Sequence, residues 1–282
     1  MSEIESCPIS AVSNILLFTD GTQLSEGAIS AALKLTSRCS GTMFVMGVAY
    51  ENLDGDAFLP DHLEKMARKL EEHLVSVKAR ADALSVACEI ILSHSDTPHH
   101  DIVEQVQRNK ADLIVIGRRG YKGLLAFFTA NIVADVIGSV TCKVLVVPKT
   151  SEFNGKTILV GVDGSKHSEA AAKEAVAIAK RLNSNIVILF SIHSEDERKY
   201  ARYHVDMIAE MSAKKGVKAE TLIPTGRSYK KILETVDEKG VDLIVVGSYG
   251  ISGLKKLLRG SATEKLIEEA KCPVLVVNAE GQ

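Results

Sequence analysis

The chain carries one pattern twice, and that repeat limits its possible folds more than any other feature. The first copy opens Asn14-Ile-Leu-Leu-Phe-Thr-Asp20-Gly21-Thr22, and the second opens Thr157-Ile-Leu-Val-Gly-Val-Asp163-Gly164-Ser165. In both, an apolar run ends in Asp-Gly-hydroxyl and a long helical pattern follows. Further on, Ala111-Asp-Leu-Ile-Val-Ile-Gly117-Arg-Arg-Gly120 is matched by Val241-Asp-Leu-Ile-Val-Val-Gly247-Ser-Tyr-Gly250. Each copy closes on an apolar run, Lys143 to Pro148 and Pro273 to Asn278. The stretch from Asp20 to Gly117 is longer than that from Asp163 to Gly247, so the first copy carries an insertion between the motifs. The Asp- and Gly-rich stretch 51–60 is the expected site of much of it. A repeat this long is a duplicated domain rather than a solenoid unit. With 282 residues, two domains is also the ordinary expectation. The expected divisions are a first domain at 1–148, a polar linker at 149–156 and a second domain at 157–282.

Within each copy, short β-branched runs alternate with longer amphipathic segments. In the second copy the strands are expected near 157–163, 185–193, 217–224, 241–247 and 273–278. The helices are expected near 166–183, 195–215, 226–239 and 261–270, with Ala171, Ala175, Ile178, Ala179 and Leu182 on one face of the first. Such alternation implies an α/β fold with parallel strands and right-handed crossovers. The nearly all-apolar strands fit a sheet covered on both faces.

The bulk numbers exclude some functions. A formal net charge of −2 argues against a general nucleic-acid surface. The opening MSEIESCPIS lacks the basic and apolar regions of a secretory signal. The apolar run from Leu124 to Val140 is at the short limit for a span and contains Asn131 and Asp135, so it reads as a buried or partly buried helix. No membrane and no nucleic-acid partner is therefore expected, and the cytoplasm is the simplest location. The five cysteines contain no CxxC, and Cys39, Cys88 and Cys142 read as buried thiols in a reducing compartment.

In an open parallel sheet, ligands bind beyond the carboxyl ends of the strands at the topological switch point. Two loops of the second copy suit that place. One carries Asp163, Gly164 and Ser165; the other runs from Gly247 through Gly250 and Gly260 to Ser261, Thr263 and Glu264. Glycines let backbone amides approach a phosphate closely, and a helix opening at Ser261 favours an anion. Lys255, Lys256 and Arg259 add charge nearby. Each feature also has a purely structural explanation. Gly247 and Gly250 suit a left-handed turn, Ser261 with Glu264 fits a capping box, and Asp163 suits a helix cap.

Taken together, the spacing Gly247-x2-Gly250-x9-Gly260-Ser261, with ILVGVDGS at 158–165, LIVVGSYG at 243–250 and PVLVV at 273–277, strongly resembles the universal stress protein A family. The likeness spans both copies. It implies two tandem Rossmann-like domains of the adenine nucleotide alpha hydrolase type, each a five-stranded parallel sheet in the order 3-2-1-4-5 flanked by helices. It also implies, in one branch of the family, ATP binding. Carried over, Asp163 and Ile192 lie near the adenine or ribose, and Val246 and Gly247 beneath the nucleoside. Gly250, Gly260, Ser261, Ala262 and Thr263 surround the phosphates, which a divalent ion such as Mg or Mn can accompany. The resemblance further implies intramolecular pairing of the domains through their final strands, and leaves a homodimer open.

The first copy departs from this pattern. Asp20, Gly117 and Gly120 remain, but Ala130-Asn131 stands where the second copy has Gly260-Ser261, giving a degenerate site. Arg118 and Arg119 either recruit a different anion or pair with acids elsewhere. The resulting expectation is an ATP-binding stress-response module with its site mainly in the second domain. A protein-interaction scaffold without nucleotide and a slow ATPase are the alternatives. No Walker motif and no HxGH occurs, so an enzyme is the weaker reading and no catalytic residue is assigned.

Overall fold

The computed structural model describes residues 7–49, 60–118, 126–248 and 262–279. The chain divides into two compact units.

The first unit takes in Ala11–Val140 and Val147–Thr150. Its elements are β1 (Asn14–Phe18), α1 (Glu26–Cys39), β2 (Thr42–Ala49), α2 (Pro60–Ala83), β3 (Ala87–His94), α3 (Pro98–Arg108), β4 (Leu113–Gly117) and α4 (Ala126–Ser139). The strands are parallel in the order β3-β2-β1-β4. Strand β1 is central, and Ile15, Leu16 and Leu17 have no exposed surface because sheet neighbours and helices cover both faces. Asp112 sets the start of β1 by accepting from the amides of Ser13 and Asn14 at 2.9 and 3.0 Å.

The second unit takes in residues up to Ser10, Thr141–Val146 and the chain from Ser151. It contains most of β5 (Lys143–Val147), then β6 (Thr157–Val162), α5 (Lys166–Leu182), β7 (Asn185–Phe190), α6 (Arg198–Lys214), β8 (Ala219–Leu222), α7 (Ser228–Lys239), β9 (Leu243–Gly247), α8 (Ala262–Glu269) and β10 (Val274–Val277). Strands β8-β7-β6-β9-β10 run parallel in the order 3-2-1-4-5. Strand β5 joins the edge antiparallel to β10. There Leu145 faces Leu275, its counterpart in the repeat. Asp242 repeats the device of Asp112 on the amides of Lys156 and Thr157, at 3.0 and 3.1 Å. The helix at 166–182 buries Ala171, Ala175, Ile178 and Ala179 as its spacing requires.

Part of the extra length of the first copy is helical: α2 has 24 residues and α6 has 17. The stretch 51–59 lies outside the described residues. The segment read as a buried helix is α4, with Val136 and Ile137 buried. Among the described residues, no helix is long and apolar enough to cross a membrane.

The cysteine reading needs one correction. Cys88 and Cys272 are buried free thiols and Cys142 is a partly exposed one, but Cys7 and Cys39 are disulfide-bonded.

Candidate functional site

In the second unit the chain leaves β6 for β7 and β8 on one side, and returns through β9 and β10 on the other. The switch point therefore lies between β6 and β9, and Asp163 and Gly247 flank it. Asp163 Oδ1 accepts from the amide of Ser165 at 2.9 Å, an Asx turn that holds the loop. Its Oδ2 makes no hydrogen bond among the described residues. Ser165 caps α5 by accepting from the amide of Ser168 at 3.2 Å.

The glycines of this region are explained by close packing. A side chain at Gly247 would stand 2.7 Å from the carbonyl carbon of His167 and 2.9 Å from the amide of Ser168. The end of β9 therefore sits directly on the first turn of α5. Gly164 has a φ of +83°, and a Cβ there would collide with Tyr200 Oη and approach His204 Nε2 to 2.9 Å. Tyr200 belongs to an aromatic group on α6 and β7, with ring centroids 4.4 Å from His204 and 5.9 Å from Phe190. Ile192 is fully buried just beyond β7, where it pairs with Thr225 and its carbonyl accepts from Gly226 at 2.8 Å. Val246 is buried in β9.

His167 ties three elements together. Its Nδ1 lies 3.0 Å from Ser248 Oγ and accepts from the amide of Ala279 at 3.2 Å. Burial lowers its pKa below the ordinary histidine value, and the carboxylate of Asp163 opposes that shift. Ala262 is exposed and Thr263 half-buried at the opening of α8. Gly250, Gly260 and Ser261 lie outside the described residues, as do Lys255, Lys256 and Arg259. The structure thus brings Asp163, Ile192, Val246 and Gly247 to one end of the sheet, with α8 opening after the glycine-rich loop.

The first unit has a differently furnished switch point. Asp20 Oδ1 accepts from the Thr22 amide at 3.0 Å and from Ser25 Oγ at 2.7 Å, and Thr22 Oγ1 reaches both carboxylate oxygens at 2.9 Å. Both carboxylate oxygens are thus engaged within its own turn. Leu70 of α2 fills the adjoining space, since a Cβ on Gly47 would meet its Cδ1 at 2.8 Å and one on Gly21 at 3.2 Å. Gly117 packs on the loop before α1, where a Cβ would stand 3.0 Å from the Cα of Ser25. His73 lies 3.1 Å from Thr19 Oγ1, and burial lowers its pKa while Asp20 and Glu26 oppose the shift. Gly120 and Arg119 lie outside the described residues; Ala130 and Asn131 lie in α4, with side chains outside the description. The backbone of Arg118 donates to Val147 at 2.8 Å. Among the described residues, no three His, Cys, Asp or Glu side chains group to hold a metal.

Sequence reasoning missed His167, Tyr200 and His204. His167 had a local signal, two residues after Ser165 in the helix-opening turn. Tyr200 and His204 had none, because they reach Gly164 only through packing of α6.

Comparison with known proteins points one way. The model of the universal stress protein family matches residues 12–148 and again 155–278. Universal stress protein YxiE of Bacillus subtilis is 36% identical over 143 residues, covering 43% of this chain and 97% of that protein. A universal stress protein of Methanocaldococcus jannaschii is 32% identical over 138 residues, covering 43% of this chain and 81% of its own. The crystal structure of a universal stress protein from Archaeoglobus fulgidus superposes with a TM-score of 0.79 over 94% of this chain and 96% of that one, and its 21% identity speaks to fold alone.

Proposed function

Because the chain belongs to the universal stress protein family, matched twice along its length, we propose that it is a tandem stress-response module that binds ATP mainly in its second repeat. The observation that carries this reading is the contrast between the two aspartates. Asp163 gives one oxygen to its turn and keeps Oδ2 for a ribose hydroxyl or an adenine amine. Both oxygens of Asp20 are engaged, by Thr22 and Ser25. Ile192, fully buried, would lie near the adenine or ribose, and Val246 beneath the nucleoside. Gly247 lies beneath the nucleoside, Gly250 and Gly260 allow close backbone approach to the phosphates, and Ser261, Ala262 and Thr263 offer them helix-opening amides and hydroxyls. Mg or Mn would accompany the phosphates and neutralise part of their charge. In this proposal ATP stabilises one conformation, and turnover is at most slow.

Two measurements test the reading. Purified protein is denatured and its released nucleotide identified by chromatography, with ATP expected. Calorimetric titration of nucleotide-free protein is expected to give one tight site per chain. Two equal sites, or none, would count against it.

A cytoplasmic role belongs to the same proposal, and the bonded Cys7 and Cys39 weigh against it. A thiol titration of denatured protein from a cytoplasmic extract decides: all five cysteines reactive supports the cytoplasmic role, and only the three free ones opposes it.

A further inference from the structure

We propose that the outer edge of β3, together with the stripe of α2 above it, is an interface through which two copies of this chain pair about a two-fold axis. This pairing is independent of nucleotide binding.

Strand β3 has a neighbour, β2, on one side only. Ser95 donates to the carbonyl of Ala49 at 3.0 Å, so the odd-numbered residues are the ones whose backbone groups turn to β2. Cys88, Ile90, Leu92 and His94 therefore turn their N–H and C=O groups outward. The Cys88 carbonyl accepts from Lys78 Nζ at 2.9 Å. Among the described residues, the outward groups of Ile90 and Leu92 have no partner. Sheet edges are ordinarily blunted by shortness, lysine, proline or a bulge. Strand β3 runs for eight residues in unbroken register with β2 and contains neither lysine nor proline. The edge strand of the second unit, β8, has only four residues, and Arg198 donates to the Ile223 carbonyl at its end.

The helix above the edge identifies the occupant. Leu92 lies beside Gly47, whose added Cβ would meet Leu70 of α2, so the even-numbered side chains of β3 share the α2 face. Ile90 is 36% exposed there. The reach of Lys78 to Cys88 shows which stripe of α2 overlooks the edge. Arg68, Glu71, Val75, Lys78 and Asp82 follow each other at alternating spacings of three and four and form that stripe. Val75, at its centre, is 54% exposed. The stripe reads positive, negative, apolar, positive, negative. Turned end for end about Val75, it complements itself: Arg68 meets Asp82, Glu71 meets Lys78, and Val75 meets Val75.

Antiparallel pairing of β3 with β3 performs that reversal. Its two-fold axis stands perpendicular to the sheet, which keeps both copies of α2 on the same face. With the axis at Ile90, Ile90 opposes its own copy and Cys88 opposes Leu92, so the outward groups pair. Glu89 then meets Ile91 and not another carboxylate. The Cys88 carbonyl has a second lone pair for the Leu92 amide of the partner subunit. A strand from another protein could satisfy the edge, but only a second copy supplies the reversed stripe.

The test is analytical ultracentrifugation of the full chain across a concentration series, with each variant checked for folding by circular dichroism. Wild type is expected to form a dimer. Ile90→Pro removes an outward N–H that the ladder to β2 does not use, and is expected to give a monomer. Thr221→Pro makes the same change on the outward side of β8 and is expected to leave the dimer intact. Glu71→Lys and Lys78→Glu each set like charges against each other in both halves of the interface. Each is expected to weaken self-association about tenfold. An equimolar mixture of the two variants restores opposite charges at both places in a mixed dimer, and is expected to associate as wild type does. Four results would each overturn the proposal: a monomer at every concentration, which would leave the edge to another protein; a dimer that survives Ile90→Pro; a mixture no tighter than its components; or growth beyond the closed dimer.

Discussion

Glu174 accepts a hydrogen bond from the backbone amide of Ser10 at 2.7 Å, joining positions far apart in sequence. Its other oxygen lies 3.5 Å from Lys143 Nζ, which donates to the carbonyl of Ser10 at 2.6 Å. Arg181 adds bonds to Pro8 and Ser10, and Ile9 is 1% exposed. Residues 8–10 are therefore part of the second unit's core. Glu174→Ala leaves the Ser10 amide without its acceptor and takes from Lys143 its carboxylate partner, and should destabilise the protein by about 2–4 kcal/mol. Glu174→Gln, which keeps a carbonyl oxygen, should cost less. Urea unfolding checks both, and an unchanged midpoint for Glu174→Ala would remove this segment from the core.

Gly164→Ala should be costly for two separable reasons. The left-handed backbone costs a non-glycine residue about 1–2 kcal/mol. The new methyl group also collides with Tyr200 Oη. Tyr200→Ala should relieve the second part and leave the first. A double-mutant cycle in thermal stability should then show favourable coupling, and strict additivity would mean Tyr200 does not sit on this turn.

Gly260→Ala separates a phosphate cradle from a simple helix start. If amides near residue 260 approach phosphate, the methyl group should weaken ATP binding at least tenfold in a folded protein. That is the worth of a lost charge-assisted hydrogen bond, about 1.5–3 kcal/mol. Unchanged affinity would return Ser261 to the role of a helix cap.

The first repeat should not gain a site through its loop alone. Ala130→Gly with Asn131→Ser restores the glycine pattern but leaves both oxygens of Asp20 engaged and Leu70 against Gly21 and Gly47. Calorimetry should still find one site per chain. A second site appearing from those two changes would mean that the loop outweighs the pocket above it.

Stability should fall in mild acid partly through His73. Burial lowers its pKa below the ordinary 6.5, so the unfolded chain binds a proton more readily than the folded one. Its contribution is complete above that value and is lost as pH falls towards the depressed folded value. His73→Asn, made in a His167→Asn background, should flatten unfolding free energy across this window. A slope unchanged from that of the background would assign the acid sensitivity to other groups.

The sequence by itself determined the architecture, because the signals for it are local. Alternating apolar runs and amphipathic segments set the strands and helices of both copies, and the paired motifs exposed the duplication. Strand ends shifted by a few residues: the run expected at 241–247 begins pairing at Leu243, since Asp242 is spent on the Lys156 and Thr157 amides. The glycine spacing was legible as a possible phosphate loop, but not the reason for Gly247, which is the backbone of His167 beneath it. Only the tertiary structure could decide what stands around each aspartate. Asp20 and Asp163 end near-identical local patterns, yet one has both oxygens engaged by Thr22 and Ser25 and the other has one oxygen engaged by Ser165. The rings of Tyr200 and His204, the bonded state of Cys39 and the acceptors of Ser10 and Ala279 were equally out of reach. Each depends on residues that a one-dimensional pattern keeps apart and that packing alone brings to hydrogen-bonding or van der Waals distance.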